Sequence, residues 1–110
     1  MAETLEISPQ EAQRRLNSGT AVLIDVREPE EFALAHIDGA RLISMHELPA
    51  ELEKLRSLAA ESALLMICHH GVRSLQAAEW LREQGIANSV SVSGGIDRWS
   101  CEIDPSVPRY

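Results

Sequence analysis

Apolar residues occur along this chain in two patterns. Some form short runs without polar alternation, and others return every third or fourth position over longer stretches. A short apolar run is typical of a strand buried on both faces of a sheet, whereas the wider spacing is typical of an amphipathic helix. Glycine and proline separate the two patterns. The chain is therefore predicted to alternate strands with helices, which is the arrangement of an α/β fold.

The predicted elements run from one end of the chain to the other. Strands are predicted over residues 5–7, 21–24, 40–43, 64–67 and 90–92, and helices over residues 9–17, 29–34, 47–58, 74–84 and 95–99. Ser8 and Glu11 fit a capping box before the first helix. A leucine stripe at helical spacing indicates that the helix over 47–58 faces the core. We expect one domain over residues 1–110, with flexible tails at residues 1–4 and at the proline-rich residues 104–110.

The strongest candidate for chemistry is Cys68, which directly follows the apolar run 64–67. In open α/β sheets, ligands bind beyond the carboxyl ends of the strands. The next helix is predicted a few residues later, and amides near a helix N-terminus lack intrahelical partners and can donate to an anion. Gly71 permits a tight turn there, and Arg73 adds a permanent positive charge. These features favour the thiolate of Cys68 and a nucleophilic role. The alternative is a buried structural thiol.

Three segments of the chain carry a family resemblance. The loop after the strand consists of Cys68, His69, His70, Gly71, Val72, Arg73 and Ser74. Upstream stand Asp25-Val26-Arg27-Glu28-Pro29-Glu30-Glu31-Phe32 and His36-Ile37-Asp38-Gly39-Ala40, and downstream Gly94-Gly95-Ile96-Asp97-Arg98-Trp99. Together they resemble the active-site loop and the two signatures of single-domain rhodaneses, the thiosulfate sulfurtransferases. One departure is Ala35, where many members carry glycine. The resemblance implies a rhodanese-like three-layer sandwich, with a five-stranded parallel central sheet and helices on both faces.

The resemblance also implies a reaction. Cys68 would attack the outer sulfur of a small anionic donor, thiosulfate or a persulfide, and would hold that sulfur as a persulfide. A thiol, cyanide or a protein acceptor would then take it. The remaining loop residues are expected to bind the donor anion; they are His69, His70, Gly71, Val72, Arg73 and Ser74. For the two histidines, the equally weighted alternative is that they only face solvent at the loop rim.

Two supporting residues, Asp25 and Arg27, lie just after the strand predicted over residues 21–24. Asp25 could orient the loop or bind Arg73, but we favour a helix cap or a surface ion pair for it. Arg73 is assigned to anion binding and thiolate stabilisation. Its alternative role is an ion pair with an upstream acid such as Asp25 or Glu28, and both roles can hold together.

A few further residues have weaker signals. Gly94 and Gly95 are expected to allow a strand-to-helix turn that borders the active site. Trp80 and Trp99 lie in helical contexts and are expected in the core. Cys101 could act as a second thiol that attacks the persulfide, but a cysteine outside an activating environment is ordinarily inert, and we favour that interpretation.

The amino-acid composition limits the classes of binding partner and the locations expected for this chain. The chain has 110 residues, 45% hydrophobic and 25% charged, and a net charge of -7, which disfavours nucleic-acid binding. We expect no signal peptide, because the first residues lack a basic and apolar pattern, and no membrane span. With two cysteines there is no disulfide framework, so a reducing cytoplasm is the expected location. No spaced metal-ligand motif is present, and no cofactor or metal is expected. A monomer or weak homodimer is expected.

Other functions stay open at this stage. Phosphatases of related fold are distinguished, within the resemblance, by a loop one residue longer than the four residues between Cys68 and Arg73. Non-catalytic modules of this fold usually lack the cysteine that this chain has. The loop and the region after it also resemble rhodanese modules fused to adenylating enzymes. A sulfur carrier that delivers to a separate biosynthetic partner is therefore the main alternative to a thiosulfate sulfurtransferase.

Overall fold

The computed structural model describes residues 4–110; residues 1–3 lie outside the described part of the chain. The strands are β1 (Glu6–Ile7), β2 (Ala21–Asp25), β3 (Arg41–Leu42), β4 (Ala63–Ile67) and β5 (Ser89–Val92). The helices are α1 (Pro9–Asn17), α2 (Pro29–Leu34), α3 (Leu52–Ala59), α4 (Val72–Glu83) and α5 (Gly95–Glu102), and a short 3-10 helix covers Met45–Glu47.

The strands form one five-stranded parallel sheet in the order β1-β5-β4-β2-β3. The chain leaves β2 towards β3 on one side and leaves β4 towards β5 on the other. The crevice between β2 and β4 is therefore the topological switch point of the sheet, where ligands bind in open α/β folds. Asp25 at the end of β2 is in register with Ile67 at the end of β4, so the residues that follow both strands meet at this crevice.

Apolar residues fill both faces of the sheet, which confirms the predicted three-layer fold. On one face, Leu65 and Ile67 of β4 pack in a cluster that includes Ala12 of α1 and Trp99 of α5. On the other, Leu64, Met66 and Cys68 pack in a cluster with side chains of α3 and α4. The unbroken apolar run of β4 is explained by this arrangement, because both faces of the strand are covered by helices.

The predicted start of the helix over residues 47–58 is wrong. The chain makes a 3-10 helix at Met45–Glu47, and α3 begins only at Leu52. Pro49 explains the difference, since it has no amide hydrogen to continue a helical ladder. A capping box between Ser44 and Glu47 holds the 3-10 helix instead. The leucine stripe still packs inward, with Leu48 and Leu55 buried.

Three local predictions also need correction. Ser8 accepts a hydrogen bond from the amide of Glu11, but the Glu11 carboxylate binds Arg14 and Arg15, so only half of the capping box forms. The helix α4 begins at Val72, two residues before its predicted start. Trp99 is buried as expected, whereas Trp80 is only half-buried, because α4 turns it towards the edge of the cluster around Leu48.

Residues 104–110, which were predicted as a tail, pack back against α5 and the core. Val107 is buried, and its carbonyl accepts a hydrogen bond from the Ser100 hydroxyl. Arg109 forms an ion pair with Asp97. These contacts bring the end of the segment, Tyr110, to the carboxyl edge of the sheet. Within residues 4–110, none of the helices combines the length and the apolar character needed to cross a bilayer.

Candidate active site

Cys68 lies at the switch point, directly after the central strand β4. It is 1% exposed, so its sulfur is surrounded by protein groups rather than by water. The backbone then turns at Gly71, whose φ of 104° is in the left-handed region that favours glycine. A Cβ at Gly71 would also lie 3.1 Å from the amide nitrogen of Gly94. The turn therefore lets the loop close over the sulfur and lie against the start of α5.

Hydrogen-bond donors converge on the Cys68 sulfur from the loop and from α4. The amide of Gly71 lies 3.1 Å from Sγ, and the amide of Ser74, in the first turn of α4, lies 3.3 Å from it. The Ser74 hydroxyl is also 3.3 Å from Sγ. First-turn amides have no partner within their helix, so the sulfur satisfies groups that would otherwise be unpaired. The arrangement can stabilise negative charge on sulfur without a metal ion.

The Ser74 hydroxyl is part of a short buried chain. Its Oγ lies 2.7 Å from the Oγ of Ser91 on β5, and both serines are completely buried. A Cys68 thiol would donate to Ser74, whereas a thiolate can only accept from it. When the sulfur is a thiolate, the Ser74 hydroxyl can donate to it, and Ser91 can then donate to Ser74. The pair of serines can adapt to both forms of the sulfur.

The first residues of α5 form hydrogen bonds with the backbone of the active-site loop. The amide of Ile96 donates to the carbonyl of Cys68 at 2.8 Å, and the amide of Asp97 donates to the carbonyl of His69 at 3.1 Å. A Cβ at Gly95, where φ is 61°, would collide with both of these carbonyl oxygens. The predicted position of Gly95 at the border of the site is thus what the structure shows. Only a glycine allows α5 to approach the loop this closely.

Arg73 forms an ion pair, but with an acid other than those predicted. Its two terminal nitrogens bind the two carboxylate oxygens of Glu31 on α2, at 2.8 and 2.9 Å. An ion pair with an upstream acid is what the alternative role predicted; the examples named for it, Asp25 and Glu28, are not the partner, because Glu31 is the acid that α2 turns towards the loop. The Arg73 guanidinium holds the pKa of Glu31 at about 2. Glu31 in turn raises the pKa of Arg73, with a smaller contribution from the attraction to Cys68.

Asp25 and Arg27 form a buried ion pair, which corrects the preferred prediction of a cap or surface pair for Asp25. The Arg27 Nη2 lies 2.7 Å from the carboxylate, and the side chains are 0% and 1% exposed. Arg27 also donates to the carbonyl of Ala35 at 2.6 Å. Neither residue contacts the sulfur. Together they connect the end of β2 to the segment that follows α2.

The two loop histidines have different surroundings. His70 is exposed at the rim of the loop, which agrees with the alternative that the histidines face solvent. His69 is partly buried between the His70 ring and the ring of Tyr110, with centroid distances of 3.9 Å to each. Burial, and then the neighbouring His70, lower the pKa of His69, so this ring is neutral near pH 7. Val72, the remaining loop residue, opens α4 with its side chain 67% exposed.

Sequence reasoning missed three residues of this region: Glu31, Ser91 and Tyr110. Glu31 was within reach of the pattern, because acids in the first turn of α2 follow a strand adjacent to β4. Ser91 lies 17 positions from Ser74, and Tyr110 lies 41 positions from His69, so no spacing connects them to the loop residues that they contact. Among residues 4–110, no group of three or more histidine, cysteine or acidic side chains is arranged to hold a metal ion.

The site defines a class of protein: an α/β domain with a cysteine cradled by loop amides at the end of its central strand. The model of the rhodanese-like domain family matches residues 8–102. This chain belongs to the rhodanese-like domain family. The family resemblance predicted from three sequence segments is thereby confirmed.

Relatives indicate the branch of the family. The thiosulfate sulfurtransferase GlpE of Ectopseudomonas mendocina is 38% identical over 90% of this chain and 87% of its own length. A Mycobacterium tuberculosis protein named "Probable adenylyltransferase/sulfurtransferase MoeZ" is 35% identical over 94% of this chain, which spans 26% of that protein. The human single-domain sulfurtransferase TSTD1 superposes with a TM-score of 0.78 and 30% identity, over 91% of this chain and 98% of that one. These relatives agree with the predicted enzyme class, a sulfurtransferase.

Proposed function

We propose that this chain moves a sulfane sulfur from thiosulfate, or from a persulfide donor, to a thiophilic acceptor through a persulfide on Cys68. The observation that carries the proposal is the set of groups around the Cys68 sulfur: two backbone amides that donate to it, and the Ser74 hydroxyl at 3.3 Å, which can donate to a thiolate. The small single-domain relatives named as thiosulfate sulfurtransferases support the choice of donor.

The reaction has two displacement steps. In the first, the Cys68 thiolate forms a bond to the outer sulfur of thiosulfate, the sulfur–sulfur bond of the donor breaks, and sulfite leaves with the electron pair. In the second, an acceptor such as cyanide attacks the terminal sulfur of the persulfide and leaves as thiocyanate, which returns Cys68 as a thiolate. This is ping-pong covalent catalysis without a change in the overall redox state of the enzyme.

The donors around Cys68 have a specific task in this scheme. The sulfur is negatively charged before the first step, and the persulfide is negatively charged after it, so amides that favour an anion stabilise both states. We assign Gly71 and Ser74 to this task. Arg73, His69, His70 and the exposed Val72 line the rim, where we assign them to donor binding.

A mass measurement tests the proposal directly. Protein incubated with thiosulfate is expected to gain the mass of one sulfur atom on the peptide that contains Cys68, and cyanide is expected to remove it. Cys68→Ser is expected to gain nothing, while Cys101→Ser is expected to behave as the unaltered protein. If the unaltered protein gains no sulfur from thiosulfate or from a glutathione persulfide control, the proposal is wrong.

Sulfur delivery to a protein partner is a second candidate. The likeness to the MoeZ sequence over nearly all of this chain favours it, because that name joins sulfur transfer to adenylyl transfer. Slow turnover with cyanide, together with rapid transfer of labelled sulfur from the Cys68 persulfide to an adenylated carrier protein, would favour delivery. Rapid turnover with cyanide and thiols alone would favour the small-molecule reaction.

We propose a reducing compartment, the cytoplasm, as the place of this reaction, because an oxidising compartment would consume a reactive thiol at Cys68. We also propose that the protein acts as a monomer or a weak homodimer. Cell fractionation tests the first statement, and sedimentation at several protein concentrations tests the second. Recovery of the protein outside the cytoplasm, or a stable assembly at all concentrations, would contradict them.

A further inference from the structure

The ring of Tyr110 packs against the active-site loop. It is stacked on the ring of His69 with centroids 3.9 Å apart and an angle of 8° between the ring planes. His69 is the residue next to Cys68, and its carbonyl is already fixed by the amide of Asp97 on α5. The backbone and the side chain of His69 are therefore held by two different elements. Only the side-chain contact depends on Tyr110.

The hydroxyl of Tyr110 connects two charged pairs beneath the loop. It accepts a hydrogen bond from Nη1 of Arg27 at 2.6 Å and donates one to Oε1 of Glu31 at 3.1 Å. That same Glu31 oxygen accepts a hydrogen bond from Nη2 of Arg73. One hydroxyl thus lies between the buried guanidinium of Arg27 and the carboxylate that orients Arg73.

The direction of these hydrogen bonds fits the charges involved. Tyr110 is 40% exposed, and the partial burial of its ring raises the pKa of the phenol, which is therefore neutral and keeps the proton that it donates to Glu31. Burial disfavours the charge of Arg27, but the hydrogen bonds that Arg27 donates to Asp25 and then to Tyr110 outweigh it and raise the pKa of Arg27. Without the phenol, the Nη1 group of Arg27 would retain only the carbonyl of Glu31, at 3.3 Å.

We propose that Tyr110 is a positioning residue for sulfur transfer, which acts by holding His69 and the Glu31–Arg73 ion pair in one arrangement around Cys68. The inference rests on the proposed function, since it assigns the ion pair and His69 to the binding of an anionic sulfur donor. Tyr110 does not contact the Cys68 sulfur. Its loss is therefore expected to affect donor binding more than the stability of the thiolate itself.

Two substitutions separate the ring from the hydroxyl. Tyr110→Phe keeps the stacking on His69 and removes both hydrogen bonds, whereas Tyr110→Leu removes both interactions. We expect Tyr110→Phe to raise the KM for thiosulfate about tenfold with a smaller change in kcat, which corresponds to the loss of the one hydrogen bond that reaches the Glu31–Arg73 pair. Tyr110→Leu is expected to raise it further. Ser106→Ala is the matched control, because it removes a hydroxyl of the same segment whose one hydrogen-bond partner among residues 4–110 is Asp104.

A double-mutant cycle tests whether the hydroxyl acts through Glu31. In a Glu31→Gln background, the orienting carboxylate charge is already absent, so Tyr110→Phe is expected to change the KM by less than threefold, roughly. A purely structural role would instead lower the melting temperature and kcat together, leave the KM unchanged, and give equal effects in both backgrounds. Equal effects, or a KM unaltered in both Tyr110 variants, would overturn the inference.

Alkylation of Cys68 gives a readout that does not depend on turnover. In a Cys101→Ser background, the rate with iodoacetate is divided by the rate with neutral iodoacetamide, which isolates the attraction of an anion to the site. We expect this ratio to fall about tenfold in Tyr110→Phe and to stay unchanged in Ser106→Ala. If the unaltered protein transfers no sulfur but the ratio still falls, the proposed function fails and the positioning role stands. If sulfur is transferred and the ratio does not fall, the positioning role is wrong.

Discussion

Removal of the Ser74 hydroxyl tests the site most sharply, because a second substitution, at Ser91, is expected to restore stability without restoring activity. In Ser74→Ala, the Cys68 sulfur loses the hydroxyl at 3.3 Å but keeps the two amides. A hydrogen bond to a charged group contributes about 1.5–3 kcal/mol. If the whole of it is lost from the reacting thiolate, kcat/KM for thiosulfate falls by about 10- to 150-fold.

The same substitution leaves a buried group without its partner. The Ser91 hydroxyl, 2.7 Å from Ser74 and completely buried, would be unpaired, at a cost of about 1–3 kcal/mol in the free energy of unfolding. The double variant Ser74→Ala/Ser91→Ala removes both hydroxyls, and replacing both partners by apolar groups is close to neutral. We therefore expect the double variant to recover most of the stability while its activity stays as low as that of Ser74→Ala.

The assays are thiosulfate–cyanide turnover and urea unfolding with an unchanged denaturant slope. Ser89→Ala is the matched control: its hydroxyl, also on β5 and completely buried, has no hydrogen-bond partner in the described structure, so its removal is expected to leave turnover unaltered. Full turnover in a folded Ser74→Ala would refute the reasoning. So would a double variant that regains activity together with stability, because the loss would then come from the fold rather than from the contact with sulfur.

Other predictions follow from the packing and the charges. Gly95→Ala is expected to abolish turnover and to destabilise the protein by at least about 1 kcal/mol, because of the strained φ and the collision with two loop carbonyls; a variant that melts with the unaltered protein contradicts this. The unfolded chain protonates Glu31 near pH 4.5 and the folded chain only near pH 2, so stability from its pair with Arg73 is complete above pH 4.5 and is lost as the pH falls to 2. Urea unfolding across this range should show a shallower decline in Glu31→Gln, and equal slopes would argue against the pair. Asp25→Ala leaves the buried guanidinium of Arg27 uncompensated and should cost about 3–5 kcal/mol; an unfolding midpoint near that of the unaltered protein would refute this. Arg73→Lys should raise the KM for thiosulfate, because an ammonium group cannot form the two-point pair with Glu31; unchanged kinetics would remove the residue from donor binding.

Much of the fold was predictable because its elements depend on local patterns. The apolar run of β4 and the helix α1 after Ser8 follow from burial and capping, and they appear where the sequence places them. The start of α3 was predicted wrongly, although Pro49 indicates it, because the leucine spacing continues across the proline. The incomplete burial of Trp80 could not be predicted, since how far a helix face is covered is a property of the assembled domain.

The residues of the candidate site also fall into those that the sequence predicts and those that it does not. Cys68, Gly71 and the loop around them are contiguous, so their chemistry is visible in the sequence. The partner of Arg73 was predicted among the wrong acids, because choosing Glu31 over Asp25 requires the rotation of α2 relative to the loop. Asp25 itself was expected at a surface, and burial in a pair with Arg27 became visible only with the sheet assembled.

What the sequence by itself determined is therefore the order of strands and helices, the family, and a cysteine at the end of the central strand. These depend on hydrophobic periodicity and on residues that are neighbours in the chain. Only the tertiary structure decided which distant groups complete the site: Ser91 behind Ser74, the start of α5 behind the loop, and Tyr110 over His69. The physical reason is that hydrogen bonds and ring contacts act over a few ångströms in space, and separation along the chain carries no information about that distance until the sheet brings its strands together.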